Sequence, residues 1–342
     1  MSPGDAVRCL RAPGGAASFS SLLGGGVLLV DLRGDSRDEC RPDELAALVR
    51  RVPAPAVAIA PEELTTSKRG TGAAVGDPLT AQLAAAFDVV VGDAELESIL
   101  HCVTRTPLAA TALCELLRLG PALDMHAALL AESLVYSTLQ SGPEYARWLA
   151  GHERRETPES EPGPAVDIER DGAALDVVLN RPRSRNAFSA AMRDALCEAL
   201  EVAAADASIA TVRLSGRGAC FSSGGDLREF GSLADPATAH LIRSTRNAAR
   251  LLADLGDRVH VRVHGACIGA GVELPAFAAR VIAAADSSFE LPELSMGLVP
   301  GAGGTVGIAR RIGRQRTALM ALGGARIDAA TAARWGLVDS VE

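Results

Sequence analysis

The stretch His264-Gly265-Ala266-Cys267-Ile268-Gly269-Ala270-Gly271-Val272-Glu273-Leu274, with its echo Phe289-Glu290-Leu291-Pro292-Glu293, decides how the chain is read. Val259, Val261 and Val263 alternate with His260, Arg262 and His264, which is the pattern of a strand with one exposed face. That strand delivers the chain into small residues and then into a short helical turn. Backbone N–H groups at such a helix start lack intrahelical partners and can face a ligand oxygen. Small side chains let the ligand come close to them. Each of the two stretches also carries a glutamate, Glu273 and Glu293.

Outward from this centre, Arg217-Gly218-Ala219-Cys220-Phe221-Ser222-Ser223-Gly224-Gly225-Asp226-Leu227 is a second small-residue loop, placed after a strand expected over Thr211 to Leu214. It is the second candidate for backbone N–H donation. Ile168, Leu175, Val177 and Leu179 predict a hairpin turning at Asp171-Gly172. Ala190 to Ala204 predicts an amphipathic helix, and Ala237 to Leu255 a single long one. Gly297 to Thr305 predicts a flexible loop leading into a helix through Arg311, followed by helices around Arg314 to Ala321 and Asp328 to Trp335.

The chain has 342 residues, 48% of them hydrophobic but only 3% aromatic, so its core is expected to rest on many small contacts. A formal net charge of −8 argues against a general nucleic-acid binder. Seven cysteines without a CxxC pair supply neither a disulfide framework nor zinc spacing, and predict reduced core thiols. No apolar run reaches the length of about 18 residues that a membrane span needs, and the first residues lack a basic run followed by an apolar segment. A cytoplasmic, soluble protein is expected.

The organisation predicted is an irregular N-terminus over 1–26, an α/β and helical domain over 27–151, a charged, proline-rich linker over 152–164 and a catalytic domain over 165–342. In the first domain Val27 to Leu32, Ala56 to Ala60 and Phe87 to Val91 read as strands alternating with helices over Asp43 to Val52 and Leu79 to Ala86, which predicts parallel pairing. A flexible stretch is expected over Thr65 to Gly76, containing Lys68, the chain's lone lysine. Asp93 to Ala150 reads as consecutive helices, with Pro107 starting one of them and Gly120-Pro121 breaking the run.

With these pieces in place, the second domain resembles the enoyl-CoA hydratase/isomerase family, the crotonases. The resemblance lies in Leu179-Asn180-Arg181-Pro182 with Arg185-Asn186-Ala187-Phe188-Ser189, then Phe221 to Leu227, Gly269 to Leu274, Phe289 to Glu293 and Gly301-Ala302-Gly303-Gly304-Thr305, in the family's order and spacing. It implies an α/β fold, a crotonase-like ββα spiral, preceded here by a smaller α/β plus helical N-terminal domain that is itself a degenerate crotonase-like unit.

The resemblance further implies an acyl-CoA substrate, with coenzyme A as part of that substrate and no separate cofactor or metal. The thioester oxygen would be held by the N–H groups of Gly225 and Ala270. Glu273 would act mainly on water and Glu293 on the α-carbon, adding water across an α,β-unsaturated acyl-CoA. Arg185, Ala187, Phe188, Asp226, Leu227, Arg228 and Gly301 would line the CoA and substrate surface. A homo-oligomer, trimer or hexamer, is implied as well. An enoyl-CoA isomerase, which needs a single carboxylate, and a noncatalytic acyl-CoA-binding scaffold are the alternatives.

Two departures stand out. Ala270 takes a place where glycine is usual, and Gly225 one where alanine is common. Family members also continue for several helices past the position of Gly336-Leu337-Val338-Asp339, helices that cover the acyl pocket. Residues 92–150 look like those closing helices, so they are expected to dock on a catalytic core, of the same or a neighbouring subunit, and complete its cleft.

Overall fold

A computed structural model describes residues 1–34, 40–65, 77–152, 161–233 and 235–342. The expected flexible stretch after Thr65 and most of the expected linker lie outside the described residues.

The N-terminus is more ordered than its composition suggests. Helix α1 (Pro3–Arg11) starts at Ser2, whose hydroxyl accepts from the Asp5 amide while the Asp5 carboxylate accepts from the Ser2 amide. This reciprocal cap, with Pro3 at the first turn, outweighs the nearby Gly and Ala. Strand β1 (Leu28–Asp31), helix α2 (Pro42–Val49), strand β2 (Ala56–Ile59), the short helices α3 (Glu62–Thr65) and α4 (Pro78–Ala84) and strand β3 (Val89–Val91) then build a small layer. Its three strands pair in parallel in the order β1-β2-β3, as the alternation predicts.

Four helices follow: α5 (Asp93–Arg105), α6 (Pro107–Leu119), α7 (Met125–Gln140) and α8 (Pro143–Gly151). Arg118 of α6 ties them to the small layer. Its guanidinium donates to both oxygens of buried Asp88, at 2.8 and 2.5 Å, and to the carbonyls of Val52 and Ala54. Asp88 also accepts from the Ala56 amide at 2.8 Å, so the carboxylate is fully engaged.

The C-terminal half opens with the hairpin of β4 (Val166–Asp171) and β5 (Ala174–Leu179), followed by α9 (Ala190–Ala205) and β6 (Thr211–Gly216). Where one long helix is expected, two occur, α10 (Pro236–Thr245) and α11 (Ala248–Leu255). The break falls at Arg246-Asn247, because Asn247 adopts an extended backbone and its side chain caps the Arg250 amide. Strand β7 (Val259–Val263), strand β8 (Ala266–Ile268), helix α12 (Ala270–Glu273), strand β9 (Arg280–Ala283) and strand β10 (Ser288–Glu290) come next. Helices α13 (Gly304–Ile312) and α14 (Arg314–Gly323), strand β11 (Ile327–Asp328), helix α15 (Ala329–Trp335) and strand β12 (Ser340–Val341) close the chain.

Two sheets result. The larger runs β12-β9-β7-β6-β5-β4, parallel apart from the hairpin, and the smaller runs β11-β10-β8. Each of the two stretches that open the sequence reading leaves the large sheet and enters the small one: β7 pairs with β9, and β8 pairs with β10 in parallel register, Ile268 opposite Glu290. Glu273 and Glu293 therefore follow neighbouring strands at the same edge.

One hydrophobic core runs through both halves of the chain. It joins Ile99, Leu113, Leu117, Leu129 and Tyr145 of the N-terminal helices to Val261, Cys267, Leu291, Ile308 and Met320. Gln315 and Arg314 of α14 also donate to the carbonyls of Ala84, Phe87 and Ala85 beside the small layer. The helices over 93–151 thus pack on the core of their own chain. Among the described residues no helix is long and apolar enough to cross a membrane.

Candidate active site

A cleft of about 680 Å³ separates the two halves, and both supply its walls. From the C-terminal half come Phe188, Gly225, Asp226, Leu227, Ala270, Glu273, Glu293 and Gly301; α7 and α8 contribute Leu129, Glu132, Tyr136, Tyr145 and Trp148. Eight of the site residues named from the sequence are thereby brought together. Arg185, Ala187 and Arg228 are outside this lining. Arg228 turns onto Asp226 at 2.5 Å, and Arg185 holds the left-handed conformation at φ 53°, its carbonyl accepting from the Ser223 amide. Asn186 beside it is fully buried and ties the two loops, donating to the carbonyls of Arg217, Cys220 and Phe221.

Backbone geometry explains why the loops need their small residues. At Gly269, φ is +50° and an added Cβ would lie 2.4 Å from Oε1 of Glu293. At Gly271 it would lie 2.6 Å from the Ser222 carbonyl. Gly225 faces the ring of Phe230, which a Cβ would meet at 3.1 Å, so the absence of a methyl group there goes with the presence of that ring. On either side of Gly225 the Phe188 amide donates to the Gly224 carbonyl and the Asp226 amide to the Phe188 carbonyl, and no partner for the Gly225 or Ala270 N–H occurs among the described residues.

The two glutamates have unlike surroundings. Glu273 is buried, and its Oε2 accepts from the amides of Ala302 and Gly304, both at 2.8 Å. Burial pushes its carboxyl up to about 7, and these two amides oppose the rise. Glu293 is buried as well, but its Oε2 has no hydrogen-bond partner among the described residues. Burial first, and the charge of Glu273 second, raise this carboxyl well above the ordinary range.

A third carboxylate closes the group. Glu132, on α7, accepts from the Gly303 amide at 2.7 Å, the Thr305 amide at 2.9 Å and the Thr305 hydroxyl at 2.5 Å. Burial and the neighbouring Glu273 push it up to about 8. Four successive amides, 302 to 305, are thus shared alternately between Glu273 and Glu132. Tyr136, one turn along α7, lies against Gly301, where a Cβ would sit 2.5 Å from its ring. On the other flank, α8 packs its Glu144 and Tyr145 on Gly297, whose φ of +73° turns the chain after Glu293. Glu144 in turn accepts from the Leu108 and Ala109 amides at the start of α6. The expectation of closing helices over 92–150 assigns no task to either Glu132 or Glu144. The signal available was a lone acidic residue inside an otherwise apolar helix.

Successive strand–strand–helix units whose corners place unpaired amides beside buried carboxylates define an α/β spiral protein with a carboxylate-lined cleft. The chain belongs to the enoyl-CoA hydratase/isomerase family: the family's sequence model, described as "Enoyl-CoA hydratase/isomerase", matches residues 169–342. It is an enzyme of the hydratase/isomerase type. It is 36% identical over 176 residues to a 2,3-dehydroadipyl-CoA hydratase of Escherichia coli, covering 51% of this chain and 68% of that protein. It is 34% identical to a putative enoyl-CoA hydratase/isomerase of Bacillus subtilis, covering 49% and 66%. A crystal structure of an enoyl-CoA hydratase from Thermoplasma volcanium aligns with a TM-score of 0.49 at 32% identity, over 53% of this chain and 72% of that one. The matched segments thus leave about a third of each relative, and the N-terminal half of this chain, unaligned.

Proposed function

We propose that the cleft adds water across the α,β double bond of an enoyl-CoA thioester. The observation that carries this reading is the pairing of two unpartnered N–H groups, Gly225 and Ala270, with two buried glutamates whose environments differ. In this reading the thioester carbonyl lies between the two amides. Glu273, held as a carboxylate acceptor by two loop amides, takes a proton from water as its oxygen attacks the β-carbon. The electron pair moves toward the thioester oxygen, and the enolate charge is stabilised by the two donors, each typically worth about 2.7 to 4 kcal/mol. Glu293, whose surroundings favour the protonated form, delivers a proton to the α-carbon.

Phe188, Leu227 and Gly301 then border the pantetheine and acyl portions. Carboxylates, water and backbone donors suffice for the reaction, so the proposal includes no metal or redox cofactor. Self-association into a trimer or hexamer belongs to the same proposal and is checked by the molar mass from light scattering. The activity is tested by following loss of the enoyl-thioester absorbance with crotonyl-CoA and a longer enoyl-CoA. Hydration without isomerisation of a 3-enoyl-CoA supports the reading. Tight binding of saturated acyl-CoA with no turnover of any enoyl ester would turn it toward the scaffold alternative.

A further inference from the structure

A guanidinium stands over the ring of Tyr136 on the cleft lining. It belongs to Arg243 of α10, with its central carbon 4.6 Å from the centre of the Tyr136 ring. Its Nε donates to the Ser133 hydroxyl at 3.2 Å, one Nη to Gln140 Oε1 at 3.3 Å, and the other to the Ser133 carbonyl at 3.3 Å and to the Ser137 hydroxyl. All four acceptors are neutral. A guanidinium carries five N–H donors, so these bonds leave one of them on the Nη that faces Gln140. Among the described residues no carboxylate lies within ion-pairing distance of Arg243.

Other arginines in the interior are compensated. Arg118 and Arg314 face Asp88, and Arg311 faces Asp339. Among the described residues Arg258 has no carboxylate partner, but it donates to the carbonyls of Ala203, Asp206 and Ile209, away from the cleft. Three acids on the same lining, Glu132, Asp235 and Glu229, are otherwise engaged. Glu132 spends both oxygens on the 303 and 305 amides, Asp235 caps α10 through Thr238, and Glu229 accepts from the Ala190 amide. The other two arginines on the lining already have partners, Arg193 with Asp194 and Arg246 with Glu201. A desolvated cation without an ion-pair partner is costly, and burial lowers the proton affinity of Arg243 despite the opposing charge of Glu132. An anion supplied by a ligand would offset that cost.

We propose that Arg243 receives a carboxylate at the far end of the acyl group, so that the substrate is the CoA ester of a dicarboxylic acid rather than of a plain fatty acid. The proposal rests on the reading of the cleft as an acyl-CoA site. The thioester end would lie at Gly225 and Ala270, the reacting carbons beside Glu273 and Glu293, and the chain end beside Tyr136. Ser133 and Gln140, which Arg243 bonds, make that part of the wall polar, which suits a carboxylate and disfavours a methyl terminus.

The test compares two saturated, unreactive esters of equal length, adipyl-CoA and hexanoyl-CoA, by calorimetry on the full chain. A charge-assisted hydrogen bond to an otherwise uncompensated arginine predicts that adipyl-CoA binds about tenfold or more tightly. In Arg243→Met the two esters should bind alike, with hexanoyl-CoA affinity within about threefold of wild type, and Arg243→Lys should restore part of the preference. Because Arg243 also bridges α10 to α7, hexanoyl-CoA binding serves as the control for an intact cleft, and the wild-type comparison stands even if the Met variant fails to fold. Equal or weaker binding of adipyl-CoA by the wild type overturns the proposal, as does a preference that survives in Arg243→Met. If neither ester binds, the acyl-CoA reading itself fails and takes the subsite with it. If adipyl-CoA binds preferentially while the enoyl ester is not hydrated, the subsite stands and the hydratase reading falls.

Discussion

Glu132 and Glu273 hold one loop from opposite sides: Glu273 takes the amides of Ala302 and Gly304, and Glu132 those of Gly303 and Thr305. Consecutive N–H groups in this segment point alternately to two carboxylates, one from each half of the chain. The orientation of Glu273 is therefore tied to a residue on α7.

Replacing Glu132 by Gln breaks that arrangement without changing its size. The amide NH2 must face either the Gly303 or the Thr305 N–H, setting a donor against a donor. We expect kcat to fall about ten- to a hundredfold through displacement of Glu273, with affinity for a saturated acyl-CoA within about threefold of wild type. Steady-state kinetics beside calorimetry separates the two quantities. A loss confined to binding would show that Glu132 only shapes the cleft.

The two cleft glutamates should separate by reaction step. Glu293→Gln is expected to lower kcat at least about a hundredfold with acyl-CoA binding largely intact, in line with the usual contribution of general acid–base catalysis. Glu273→Gln should harm hydration more than exchange of the α-proton with deuterated solvent. Proton NMR of a bound saturated ester reads the exchange, and equal losses in both assays would remove the division of labour.

Activity in the hydration direction should rise with pH as the Glu273 carboxyl, pushed up to about 7, ionises to the base form. It should fall again at higher pH as Glu293, whose carboxyl is raised further by burial and by Glu273, loses the proton it delivers. The apparent values belong to the cluster of three acids rather than to single residues. The charge of Glu132 is among the causes that raise Glu293, so the falling limb of Glu132→Gln should move to lower pH. A pH profile of kcat/KM on both proteins measures this.

Stability should respond most to the ion pair under the small layer. Asp88→Ala leaves the Arg118 guanidinium, with 9% of its side chain exposed, without its carboxylate. Breaking a buried pair from one side commonly costs about 3 to 5 kcal/mol. Chemical denaturation should show a loss of that order, while kcat at a permissive temperature stays within about twofold because neither residue lines the cleft.

Much of the catalytic half was legible because its signals are local. Valine alternation marks β7, Asp171-Gly172 marks the hairpin, and the glycines around Glu273 announce a tight corner. The capping box Ser2-Pro3-Gly4-Asp5 was equally local, yet the glycine and alanine after it pointed to an irregular start. Asn247 could have announced the break between α10 and α11, being a good capping residue inside a pattern otherwise compatible with helix. The wall supplied by α7 was harder to read. Leu130 and Leu134, which look like its core stripe, are exposed, at 42% and 50%, while Glu132, Ser133 and Ser137 are buried. Their partners are loop amides and Arg243, more than 100 positions away in the chain, and no periodicity within a helix reveals a partner at that distance.

The alternation of amides along 302 to 305 also sets a timetable. Glu132 leaves the ribosome 171 residues before the Gly303 amide it binds, so α7 is made long before the loop that will neutralise its buried face. The catalytic centre is among the last parts of the molecule able to form. Its assembly depends on closing a very long loop of chain, which raises contact order and slows folding more than it weakens the finished protein. Until then the helices over 93–151 present an apolar and acidic surface to the cell, and a chaperone or another copy of the chain can compete for it.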